Sequence, residues 1–124
     1  MRPVLILRIL LYIQLILGLI IYFGPLAGLT LGRGSLDFHG ALGILIAIIA
    51  LVVLRPTHGV PNSGVRTAAR FFPLVPLVFG LGFMFRLISG NPLVIIHMLL
   101  GIAALGLVEA AAARQRRAVR QPSA

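Results

Sequence analysis

The sequence predicts an all-α integral membrane protein, a four-helix bundle built from two parallel-related transmembrane hairpins. Three observations carry that prediction. Hydrophobic residues make up 60% of the 124 positions and charged residues 10%, too few charges to cover the surface of a water-soluble domain. Four apolar runs recur along the chain, each near the roughly 20 residues needed to cross a bilayer core. The two halves also share an ordered set of residues that simple apolar composition does not produce.

The first run extends over 4–24, broken only by Arg8, Gln14 and a few glycines. It is too long for a signal-peptide core and lacks a small-residue cleavage pattern, so it reads as a span. Gly28 to Ser35 follows as a glycine-rich turn, with Ser35 or Asp37 expected to cap the second helix, 36–54. Arg55-Pro56 ends that helix, and Thr57 to Thr67 reads as a polar loop. The third span is expected over 71–88, with Pro73 and Pro76 kinking its first turns. Ser89-Gly90-Asn91-Pro92 reads as a tight connection, with Asn91 capping the fourth span, 92–112. Residues 1–113 thus form the four-helix domain, and 114–124 a basic cytoplasmic tail whose first part extends the last helix toward the headgroups. With no water inside the bilayer to satisfy backbone groups, each run must be helical.

All eleven basic residues are arginine, against only Asp37 and Glu109. The arginines flank the hydrophobic runs, where they orient the chain and touch anionic lipid, so nucleic acid is not an expected partner. Arg2, Arg8, Arg55, Arg66, Arg70, Arg114, Arg116, Arg117 and Arg120 fall on one side and only Arg33 and Arg86 on the other. The positive-inside rule then places both termini in the cytoplasm. The expected location is a prokaryotic inner (cytoplasmic) membrane, and the expected partners are the lipid bilayer and a larger membrane protein complex or a second copy.

Placing 1–55 over 66–113 sets Arg8 on Arg70, Gly18 on Gly80, Phe23 on Phe85 and His39 on His97. The string His-x-x-Leu-Gly-Ile occurs at 39–44 and again at 97–102. Two copies of a two-span unit share orientation and are related by an axis along the membrane normal. The histidines then lie on diagonal helices at similar depth, near the outer face.

A histidine within hydrocarbon is costly and points inward, toward function. Two of them on diagonal helices match bis-histidine ligation of one haem, an imidazole reaching the iron from each face. Gly43 and Gly101, one turn beyond each histidine, leave space for a flat macrocycle. Arg33 and Arg86 are the outer cations available to haem propionates, and Arg86 equally reads as a side chain snorkelling to the headgroups. Absence of cysteine excludes thiolate metal sites and covalent c-type haem attachment. An interfacial histidine bonded to a loop carbonyl is the plain alternative, stronger for His39 than for His97. A chlorophyll-type pigment, needing one histidine per ring, is another.

These features resemble one half of the heme A synthase family, and more loosely the b-type four-helix cytochromes. The resemblance covers nearly the whole chain and rests on His39 and His97 with their Leu-Gly flanks. It implies that the two histidines ligate haem. This chain has one unit where that family has two, no cysteine pair in the outer loop, and Asp37 instead of a glutamate before His39. The resemblance therefore implies haem b binding and leaves haem oxidation aside.

Gln14 is expected to bond a neighbouring helix or to line a quinone pocket, and Glu109 to pair with Arg55 or Arg114. Gly18, Gly80 and Gly82 allow close helix contact. No nucleophile–base pair, phosphate loop or carboxylate dyad is present, so independent catalysis by side chains is not expected. Two functions fit: a small b-type membrane cytochrome module serving electron transport, or a cofactor-free structural subunit of a respiratory or photosynthetic complex.

Overall fold

A computed structural model describes residues 2–121, which are all-helical without a strand among the described residues. The helices are α1 (Arg2–Phe23), α2 (Gly34–Val53), α3 (Gly64–Phe71), α4 (Leu74–Met84) and α5 (Asn91–Arg120). A short 3-10 turn, Gly24–Ala27, continues α1. Four helical segments are long and apolar enough to cross a membrane: Arg2–Ala27, Gly34–Val53, Gly64–Met84 and Asn91–Arg120.

The helix boundaries depart from expectation where polar residues do unexpected work. Ser35 and Asp37 do not cap α2, which starts behind Arg33 without a side-chain cap. Ser35 already lies in the first turn, and its hydroxyl donates back to Gly32 O at 2.7 Å. The third span begins at Gly64, inside the stretch expected to be loop. Ser63 Oγ caps α3 by accepting from the Arg66 N–H at 3.2 Å. Arg66 Nη2 then donates to Val53 O and Arg55 O, and Arg70 Nε to Leu51 O at 2.9 Å. A helix end leaves its last carbonyls unpaired and carries partial negative charge, so two arginines on a facing helix suit it. These bonds make a helix out of a segment that is polar in sequence.

Phe72 and Pro73 separate α3 from α4, as the two prolines predict. The third span ends at Met84, short of Ile88. Arg86 adopts a left-handed conformation, φ 56°, just past the end of α4. Gly90, not Asn91, is the N-cap residue of α5, and Asn91 is its first residue. That helix continues beyond Ala112 to Arg120; residues 122–124 of the basic tail lie outside the described residues.

Helix α1 packs against α2 and α5, and both α3 and α4 pack against the same two helices. This puts α2 and α5 on one diagonal of the bundle and α1 and α3–α4 on the other. The fully packed core sits at the end that holds both termini. It joins Leu7 and Leu11 of α1, Ile46, Ala50 and Leu54 of α2, Ala69 of α3, and Val108 and Ala112 of α5. No residue of α4 is buried. At that end Glu109 pairs with Arg8, in place of the expected Arg55 or Arg114. The pair is bidentate, Nε to Oε1 at 2.6 Å and Nη2 to Oε2 at 2.9 Å, and ties α1 to α5. A fork of this kind is among the stronger polar contacts available to side chains. Large apolar side chains such as Ile16, Val78 and Leu99 cover the outer surface.

Candidate functional site

The opposite half of the bundle is hollow. A cavity of about 600 Å³ lies between all four spans, within the volume range of small-molecule and cofactor pockets. Gly18, Gly40, Gly43, Gly80 and Gly101 all line it, and of these only Gly101 faces open space.

His39 and His97 both reach this cavity, from α2 and α5 on the diagonal. They lie five residues after Gly34 and six after Asn91, near the same end of the bundle. Their ring centroids are 6.2 Å apart and their planes meet at 76°. An imidazole nitrogen sits about 1 Å from its ring centre and bonds a transition metal at about 2 Å, so rings on opposite faces of one metal stand about 6 Å apart. At this separation the two rings would be able to hold one metal ion between them. Phe83 packs edge-on against the His97 ring, with centroids at 5.9 Å.

Each ring rests on a glycine of a neighbouring helix. A Cβ built on Gly18 would meet Cε1 of His39 at 3.0 Å, and one on Gly80 would meet Cε1 of His97 at 3.3 Å. The two contacts are equivalent, α1 to α2 in one case and α4 to α5 in the other. Nδ1 of each histidine is buried without a hydrogen-bond partner.

Gln14 bonds a neighbouring helix, as expected, and does so at the histidine itself. Its Nε2 donates to His39 O at 2.9 Å, while its Oε1 stays buried and unpartnered. Three of the four buried unpartnered side-chain atoms among the described residues therefore belong to this one cavity. Gly43 lies beneath the Gln14 amide, 3.1 Å from a built Cβ. Gly101 faces open space, with nothing within 4 Å of such a Cβ. Gly40 is covered by the end of the Met84 side chain.

Arg33 and Arg86 both border the cavity, together with Asp37. Arg86 does so from beyond the last turn of α4, where Arg86 N–H donates to Phe83 O and Leu87 N–H to Gly82 O. That left-handed position is one that glycine usually fills, and sequence reasoning gave no sign of it. All six residues singled out from the sequence thus share one cavity. Among the described residues no group of three or more His, Cys, Asp or Glu side chains gathers to hold a metal ion. A macrocycle that brings its own nitrogen donors needs only two protein ligands. Two imidazoles on one cavity are the donor chemistry that a bis-histidine haem would use. No protein-family model matches the chain, and no curated protein or solved structure matches it either.

Proposed function

We propose that this chain is a small b-type membrane cytochrome module in which His39 and His97 hold one haem b and the protein relays electrons within a larger membrane complex. One observation carries the reading: two imidazoles from diagonal helices, 6.2 Å apart at 76°, on the wall of a cavity of about 600 Å³. Bound haem supplies reversible one-electron chemistry. The chain supplies everything else. His39 and His97 fix the position, Gly18 and Gly80 admit the rings beside them, and apolar walls such as Leu15, Leu77 and Leu81 exclude water. Arg33 and Arg86 hold the anionic propionates at the rim.

The same reading places the four apolar segments across a membrane as two hairpins of one orientation, α1–α2 and α3–α5, with both termini on the cytoplasmic side. The equivalent Gly18–His39 and Gly80–His97 contacts support the duplication, and the arginine distribution supports the orientation. The likeness to half of a heme A synthase belongs to this proposal. It rests on the residues alone, and haem oxidation is not part of it.

The test is a reduced-minus-oxidised spectrum of the purified protein, with pyridine extraction to type the pigment. The expected result is a Soret band with sharp reduction-dependent α and β bands and extracted haem b, at one haem per chain. A colourless, folded protein would overturn the proposal and leave the cofactor-free structural subunit. An extracted chlorophyll-type pigment would reassign the same pair of histidines.

A further inference from the structure

The other end of the bundle carries a second, smaller pocket of about 230 Å³, bordered by Pro61, Ser63, Arg66, Arg114 and Gln115. Arg66 is only 5% exposed, yet every partner of its guanidinium is neutral. Nη1 donates to Gln115 Oε1 at 3.1 Å, and Nη2 donates to Val53 O at 3.2 Å and Arg55 O at 3.3 Å. Nε is buried and unpartnered. A buried cation is costly without an opposite charge, and backbone carbonyls offset only part of that cost.

The chain has no side-chain carboxylate to give it. Its two acidic residues are Asp37 and Glu109. Asp37 lies in the first turn of α2, far from the Val53 end where Arg66 docks. Glu109 is held bidentately by Arg8. A second cation, Arg114, stands on the same pocket, and Ser63, the N-cap residue of α3, lines it.

We infer that this pocket binds a phosphate-type oxyanion, the phosphodiester of an anionic lipid headgroup or free phosphate, between Arg66, Arg114 and the start of α3. At about 30 Å³ per water-sized group, the volume accepts a phosphate with several attached atoms. The site is independent of the haem reading, because it lies at the opposite end and shares no residue with the histidine cavity.

The test uses delipidated full-length protein in neutral detergent, read by its thermal unfolding midpoint. Phosphatidylglycerol, phosphatidylcholine and inorganic phosphate are titrated separately. Phosphatidylglycerol is expected to raise the midpoint saturably and phosphatidylcholine to leave it unchanged. A response to inorganic phosphate at comparable concentration assigns the site to the free anion, and its absence assigns it to the lipid. Arg114→Gln is expected to weaken binding about tenfold, the size of one charge-assisted contact, whereas Arg120→Gln, on the same helix outside the pocket, leaves it unchanged. Arg66→Gln is expected to abolish the response; because it also loosens α3, Arg114→Gln carries the decision. The inference is overturned if neither anion shifts the midpoint, or if Arg114→Gln and Arg120→Gln respond alike.

Discussion

Gly18 and His39 are fitted to one another: a Cβ on Gly18 would lie 3.0 Å from the Cε1 of the histidine ring, closer than side chains normally approach. The glycine sets where the imidazole sits, and Gly80 does the same for His97 with slightly more room, 3.3 Å. Ring placement in this protein is therefore written on the helices that carry no histidine.

Gly18→Ala is expected to displace the His39 ring and destabilise the protein by about 1–3 kcal/mol, the usual cost of overpacking. Gly80→Ala is expected to cost less, because a shift of a few tenths of an ångström relieves it. Unfolding midpoints in detergent check the order, and pigment content per chain is expected to fall in the same order.

The part-buried Arg8–Glu109 pair joins α1 to α5. Glu109→Gln leaves the part-buried Arg8 without its charge partner and is expected to destabilise by about 1–2 kcal/mol. The double variant Arg8→Leu/Glu109→Leu is expected to recover most of that loss, since two apolar side chains leave no uncompensated charge. A double-mutant cycle on unfolding midpoints reads the difference.

Arg86 holds a left-handed backbone, φ 56°, at the rim of the cavity. Arg86→Gly removes that strain and is expected to stabilise the protein by about 1 kcal/mol, whereas Arg86→Ala gives no such gain. Both substitutions are expected to weaken haem retention, because both remove a cation from the rim. A variant more stable yet poorer at holding haem would separate the two roles of this residue, and haem dissociation to an apo-globin acceptor measures the second.

Gln14 donates to the His39 carbonyl but leaves its own oxygen buried and unpartnered. Gln14→Leu loses the bond and the orphaned acceptor together, so it is expected to stay within about 1 kcal/mol of the native protein. Gln14→Glu sets a carboxylate against a carbonyl oxygen in the same space, and is expected to cost several kcal/mol or to stay protonated. Thermal unfolding of the two variants distinguishes the outcomes.

Much of the candidate site was legible because a membrane-type sequence offers few polar residues to choose from. His39 and His97 stand out against apolar neighbours, and their matching Leu-Gly flanks tie them together. Helical spacing puts Gly43 and Gly101 on the cavity, but the Gln14 amide packs over Gly43 and only Gly101 faces open space. What escaped depends on rotation and on partners far along the chain. Glu109 meets Arg8 across 101 positions, and nothing local marks Arg8 over Arg55 or Arg114. The segment from Gly64 to Arg70 looks like loop because its charges have no visible partner until the carbonyls closing α2 come beside them. Arg86 was misplaced for a different reason: its left-handed turn is one that a sequence usually signals with glycine.

The most direct test of the central claim is the electron paramagnetic resonance spectrum of the oxidised protein, compared with His39→Ala and His97→Ala. Two imidazoles with planes near 76° on one iron predict a strongly anisotropic low-spin ferric signal. Each single variant is expected to lose that signal and either turn high-spin or release the haem. A low-spin signal that survives in either variant, or a folded native protein with no ferric haem signal, would contradict the account.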